Sequence, residues 1–341
     1  MQPEGAAVPV IVVSAADTEE AMLECLSKGA DDYILKPLKR TELLAKVMTA
    51  FRRKEVVTLT SRGFTLGTLF NGRYRIEELL GSGGSSTVYR ATDTQSEPPG
   101  PVAVKVFDFS DALGRDQNFL TAFLREAYEH SRLEHPNVLK LRDFGHTGTF
   151  YFMSMDLLDG KSLEQILVDK GPRPYNEMAH IGCEVAKALK YLSARGLIHR
   201  DVKPKNIMIT STNEVKLLDF GLARRCTDET ISFADEFRGT PHFVSPEYVA
   251  GRQDLDIRTD IYSLGITLYA MVAGELPIQG GTAMAIAENH LSVIPTSLDV
   301  LCPDVSPEFS ELVDRMLAKK PESRPGLDEL IGALESLAET A

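Results

Sequence analysis

The spacing of apolar positions changes its period twice along the chain. Residues 10–13 form an unbroken apolar run, the pattern of a strand covered on both faces. Asp17 can cap a helix that runs to about Lys28 and stops at Gly29. Residues 33–35 predict a second short strand, and residues 41–53 a second helix. From Lys54 to Arg73 the pattern weakens and polar residues dominate, so a linker is expected there. Short β-type runs then appear at residues 74–80, 87–92 and 102–107, separated by a glycine-rich turn and a Pro/Gly segment at 98–101. A helical period covers residues 119–133, with strand candidates around Leu139 and Phe152. After Gly160 the helical period prevails, at residues 162–169, 176–194, 259–273, 307–316 and 327–337. The pattern therefore predicts a strand-rich region followed by a helix-rich one, with no tandem repeats.

Composition narrows the classes. The 341 residues suffice for two substantial cores, and 43% hydrophobic with 25% charged residues is ordinary for globular protein. No apolar run approaches the roughly 20 residues that span a bilayer, and residues 8–13 lack the basic flank of a signal peptide, so a cytoplasmic chain is expected. A formal charge of -12 argues against nucleic acid or an anionic membrane as the main partner. Cys25, Cys183, Cys226 and Cys302 are scattered without metal-ligand spacing and are read as reduced thiols.

Three strings carry chemistry. In GSGGSSTVY, residues 81–89, a turn between two strands can press backbone N–H groups onto phosphate oxygens. The turn comprises Gly81, Ser82, Gly83, Gly84, Ser85 and Ser86; strand rather than helix follows it, which excludes a dinucleotide fingerprint. In VAVKV, residues 102–106, Lys105 lies inside an apolar strand, where an ammonium is costly unless it meets an anion or reaches water. Glu126, on the helix expected at 119–133, could orient it. The deciding string is IHRDVKPKN, residues 198–206, followed by DFG at 219–221. Phosphoryl transfer needs positioned cations and one group that orients the attacking hydroxyl. Asp201 can accept the hydroxyl proton, Lys203 can neutralise charge on the γ-phosphoryl group, and Asn206 and Asp219 offer oxygen ligands to Mg2+.

In these strings and their order, residues from about Arg73 to Leu337 resemble the eukaryotic-like (Hanks-type) Ser/Thr protein kinases of bacteria. The resemblance implies an α+β bilobal fold, with a β-rich lobe at 72–155, a hinge at 156–160 and an α-rich lobe at 161–337. It implies that Met155 is the gatekeeper, that Asp156 and Leu158 offer backbone groups to adenine, and that Leu80, Val88, Ala103 and Met208 sandwich the base. GTPHFVSPE, residues 239–247, resembles the substrate-docking loop, with Ser245 where relatives carry alanine and Thr240 contacting Asp201 and Lys203. Glu247 is expected to pair with Arg324, and Asp260 of DIYSLG to brace the catalytic loop. Thr227, Thr230 and Ser232 are expected autophosphorylation sites, with Arg200 as the phosphate receptor. His130, where relatives place an apolar residue, is expected as a neutral core histidine, with a pH-sensitive element as the alternative.

Residues 9–15 and 29–37 resemble the last part of a response-regulator receiver domain, with Ser14 and Lys36 at its switch hydroxyl and lysine positions. Residues 1–55 are therefore expected as an incomplete flavodoxin-like receiver fragment and 56–71 as the linker. The family's acceptor aspartate belongs to an earlier strand, so aspartyl phosphorylation is not expected. A fragment with unpaired strand edges is expected to form a homodimer, to pack on the small lobe or to be mobile, with self-association favoured.

The function these readings imply is transfer of the γ-phosphoryl group of ATP to protein Ser/Thr hydroxyls with Mg2+, for which Mn2+ can substitute. The receiver resemblance implies two-component signalling partners by analogy. The alternative is an ATP-binding pseudokinase or scaffold, against which Lys105, Asp201 and Asp219 are all present.

Overall fold

Alternation of side chains over residues 74–108 builds a sheet whose two faces carry different chemistry. The computed structural model describes residues 10–14, 25, 30, 32–36, 59–60, 63–82, 86–108, 123–124, 127–147, 150–218 and 241–339. The chain divides into two units, residues 1–133 with 140–158, and residues 134–139 with 159–341.

In the first unit, Ile11–Ser14 (β1) and Asp32–Leu35 (β2) pair in parallel, the two strands expected near the amino terminus. Lys36 N donates to Ser14 O at 2.8 Å. The helices expected at 17–28 and 41–53 lie outside the described residues, Cys25 apart, which is helical. Leu59–Thr60 (β3) pairs antiparallel with Gly63–Phe64 (β4). Six antiparallel strands follow: Leu69–Phe70 (β5), Tyr74–Ser82 (β6), Ser86–Asp93 (β7), Gly100–Asp108 (β8), Leu141–Thr147 (β9) and Phe150–Asp156 (β10), in the order β5-β6-β7-β8-β10-β9.

Register sorts the side chains of this sheet. Tyr89 lies opposite Val104, Ala91 opposite Val102 and Ile76, and Phe152 opposite Val106. Together with Tyr74 these residues form one buried cluster on one face. Residues of opposite parity present the other face, where Lys105 lies opposite Val88 and Met153, Ala103 opposite Met155, and Gly81 opposite Val88.

The linker expected at 54–73 is corrected here. Phe64 and Phe70 belong to the buried cluster, with Phe70 fully covered. The Phe64 ring lies 5.0 Å from Phe70 and 5.5 Å from Tyr89, and Phe70 meets Phe152 edge-on at 5.4 Å. Phe64 N also donates to Tyr89 Oη at 3.1 Å. Two aromatics six positions apart in a polar stretch match neither the strand nor the helix period, so the pattern did not show them.

The second unit holds a three-stranded sheet of Gly160–Ser162 (β11), Ile207–Thr210 (β12) and Val215–Leu217 (β13). Gly160 is required by close approach, because a Cβ there would stand 2.2 Å from Ile209 O. Its helices are Leu163–Lys170 (α1), Tyr175–Ser193 (α2), Pro246–Val249 (α3), Arg258–Ala273 (α4), Ala283–Ser292 (α5), Leu298–Leu301 (α6), Pro307–Met316 (α7) and Leu327–Ala338 (α8). A capping box of Ser162 and Gln165 starts α1, and Ser306 caps α7 through Phe309 N. Helix α4 is buried nearly all round, as a central core helix must be, with α2 and α7 against it and α8 against α2. Among the described residues no helix is long and apolar enough to cross a membrane.

A buried ion pair ties α3 to the end of the unit. Arg324 Nη1 and Nη2 donate to Glu247 Oε1 and Oε2, both at 2.7 Å, and the two side chains are 0% and 5% exposed. Thr259 Oγ1 also donates to Oε1 at 2.9 Å, and Arg324 uses further donors on Arg258 O and Ala318 O. Such satisfaction is what makes a buried pair tolerable. Burial pushes the Glu247 carboxyl up, but the bonds and charge of Arg324 outweigh this and hold it below its ordinary 4.5.

Four outcomes are expected. Phe70→Ala should cost about 3–5 kcal/mol in urea unfolding, and a chain starting at Gly72, which lacks both aromatics, should lose its cooperative transition. Glu247→Ala should cost about 3–5 kcal/mol, since it strands a buried guanidinium. The depressed carboxyl stabilises the fold above about pH 4.5, and this is lost as pH falls through its lower folded value. Glu247→Gln should therefore flatten the acid limb of stability against pH, measured by denaturation between about pH 3 and 6.

Candidate active site

Helix α2 ends at Ser193, and Leu197 N donates back to Leu192 O at 3.1 Å, turning the chain into residues 198–206. Arg200 there has a φ of 65°, a left-handed conformation that a side chain with a Cβ adopts only under constraint. The constraint is Asp260, fully buried in the first turn of α4. Its Oδ2 accepts from His199 N and its Oδ1 from Arg200 N, both at 2.7 Å. Burial pushes the Asp260 carboxyl up, opposed by His199 and the two N–H donors.

His199 is a residue the sequence reading passed over. It is fully buried, and its Nε2 lies 2.8 Å from Leu218 O. A carbonyl only accepts, so Nε2 carries the hydrogen, and Nδ1 is left to accept from Asp201 N at 3.3 Å. Leu218 N in turn donates to Asn206 O at 2.8 Å. Both backbone groups of Leu218 thus bind this loop, immediately before Asp219 in the sequence. Its place beside Asp201 in IHRD was the one available signal.

The Asp201 carboxylate sits at the centre. Lys203 Nζ lies 2.9 Å from Oδ1 and 2.8 Å from Oδ2. Asn206 Nδ2 donates to Asp201 Oδ2 at 2.8 Å and to Asp201 O at 2.9 Å. With both hydrogens of its amide used this way, Asn206 keeps its Oδ1 as an acceptor, the hard oxygen that suits Mg2+. Asn206 is held by a 3₁₀ turn, Pro204–Asn206, that feeds β12.

The segment expected to dock substrate is fastened to α4 in its described part, from residue 241 onward. Ser263 Oγ donates to Phe243 O at 2.6 Å, and Ser245 accepts from Tyr248 N at 3.4 Å to cap α3. The serine that departs from the family's alanine thus has a local structural use. Glu247 and Arg324 form the pair described above.

Other expected site residues fall as follows. Gly81, Val88, Ala103, Lys105 and Met155 share one face of the six-stranded sheet. Leu80 is 47% exposed, Ser82 is the last residue of β6 and Ser86 the first of β7. Asp156 N is already used by Lys140 O at 3.1 Å, and Leu158 is half-buried. In the second unit Met208 lies in β12 opposite Lys216. His130 is buried at 6% exposure. Gly83, Gly84, Ser85, Glu126, Asp219, Thr227, Thr230, Ser232 and Thr240 lie outside the described residues.

Comparison with known proteins agrees with this geometry. Residues 74–333 match the family model of the protein kinase domain, and residues 1–48 that of the response regulator receiver domain. The serine/threonine-protein kinase PknL of Mycobacterium tuberculosis is 36% identical over 272 residues, covering 80% of this chain and 67% of that protein. The serine/threonine-protein kinase PknB of Mycobacterium leprae is 36% identical over 74% of this chain and 40% of its own length. This chain spans 39% of the length of two clostridial relatives that are 34% identical to it. The crystal structure of the Mycobacterium tuberculosis PknI kinase domain superposes with a TM-score of 0.65 at 30% identity, covering 81% of this chain and all of that one. From about Tyr74 onward, then, the chain belongs to the protein kinase family, which uses ATP and a divalent metal.

Proposed function

We propose that this protein transfers the γ-phosphoryl group of ATP to serine or threonine hydroxyls of proteins. The observation that carries this reading is the Asp201 carboxylate, gripped by Lys203 and Asn206 on a loop whose strained backbone Asp260 holds in place. Asp201 accepts the proton of the incoming hydroxyl, and its position is set before substrate arrives. Lys203, at hydrogen-bond distance from Asp201, balances charge on the phosphoryl oxygens as the hydroxyl attacks. Lys105 holds the α- and β-phosphates from the sheet face that it shares with Ala103 and Val88. Asn206 and Asp219 are the residues that would hold Mg2+, which would screen the negative charge of the phosphates.

The kinase portion covers residues 72–337 together with the aromatic extension at Phe64 and Phe70. Its activation segment, 219–247, autophosphorylates on Thr227, Thr230 or Ser232, with Arg200 as receptor for the added charge. The receiver-like segment connects the kinase to two-component partners in the cytoplasm.

Asp201→Asn should lower single-turnover transfer about 10²–10⁴-fold while leaving ATP affinity close to wild type, because the carboxylate acts on the hydroxyl. Lys105→Met should lose transfer through misplaced phosphates. Transfer by Asp201→Asn at the wild-type rate would refute the assignment. Mass spectrometry of active protein should find phosphate on at least one of the three activation-segment hydroxyls, and alanine at all three should lower activity.

A further inference from the structure

A pocket of about 380 Å³ opens beside the catalytic loop, wholly within the second unit. Its walls come from four places: Leu167 of α1, Pro204 after Lys203, Phe243 of the docking turn, and Ala270 with Leu276 at the end of α4. Lys203 also lines it, and Lys203 Nζ is the group that lies within 2.9 Å of Asp201. The pocket therefore begins one side chain away from the carboxylate that orients the hydroxyl. A size of this order admits a whole side chain with part of its backbone.

The lining decides what can enter. The floor and walls are aliphatic or aromatic carbon, with Ala270 only 4% exposed. Around them stand two exposed carboxylates, Glu164 and Glu275, against two ammoniums, Lys203 and Lys205. His242 joins this rim, and burial lowers its basicity. A guest of either charge would meet one attractive and one repulsive pair and would lose hydration against the walls. An apolar guest gains from burial and meets no opposing charge.

We infer that this pocket selects protein substrates by taking a leucine, methionine or phenylalanine side chain a few residues from the phosphorylated hydroxyl. The inference rests on the phosphoryl-transfer reading above and adds the substrate class. A polypeptide with its hydroxyl at Asp201 advances about 3.3–3.6 Å per extended residue, so the guest lies roughly two to four positions away. Continuity supplies the occupant: the same pocket touches the catalytic loop through Lys203 and the docking turn through Phe243.

The test is a positional-scanning peptide library around a central serine or threonine, phosphorylated by the full chain with ATP and Mg2+. At one position near the acceptor, leucine, methionine or phenylalanine should raise kcat/KM roughly ten- to two-hundred-fold over glycine, aspartate or arginine. Leu276→Glu, a change at the half-exposed mouth, should erase most of that preference, chiefly through KM for the apolar peptide. Ala270→Leu should do the same by filling the floor, and circular dichroism establishes that each variant is folded. Transfer with no apolar preference at any nearby position, or with a preference that Leu276→Glu does not move, overturns the inference and leaves the kinase reading standing. Absence of phosphate from every peptide while ATP still binds overturns the kinase reading, and the inference falls with it.

Discussion

One buried carboxylate holds the candidate active site in shape. Asp260 receives the backbone N–H groups of His199 and Arg200, and so keeps Arg200 left-handed. The left-handed backbone costs about 1–2 kcal/mol, whereas a hydrogen bond to a charged acceptor contributes about 1.5–3 kcal/mol. Two such bonds outweigh the strain. From that fixed turn the rest follows in order. His199 reaches Leu218 with one nitrogen and Asp201 N with the other, and Asp201 is then presented to Lys203 and Asn206.

The same helix organises more than the loop. Besides Asp260, α4 offers Thr259 to Glu247, Ser263 to the turn at Phe243, and Ala270 to the pocket floor. Because α4 is buried on nearly every side, it cannot tilt without disturbing α2 and α7 as well. The 198–206 loop, the 241–249 segment and the pocket wall are thereby referred to one rigid axis.

Much of this was legible before any coordinates. Strands with clean alternation and helices of ten residues or more stood out, because burial of one face imposes a period. The short elements, β11 to β13, α3 and α6, were missed, since three or four residues cannot display one. Of the candidate site, Asp201, Lys203 and Asn206 were legible in the string IHRDVKPKN, and Asp260 in the resemblance of DIYSLG to the family's helix start. His199 was not, since a buried histidine looks like any core residue until its two nitrogens are traced. The helix α5 escaped because its alanine-rich stretch, 283–287, blurs the contrast between faces.

Phe64 and Phe70 separate two things that are usually treated as one. The family pattern begins at position 74, yet the hydrophobic core of the sheet begins ten residues earlier, at Phe64. Gene rearrangements that cut at the pattern's edge would transplant every catalytic motif and leave behind the rings that close its core. The packed unit of the sheet is thus longer than the recognisable pattern, because its core closes only with the rings at Phe64 and Phe70.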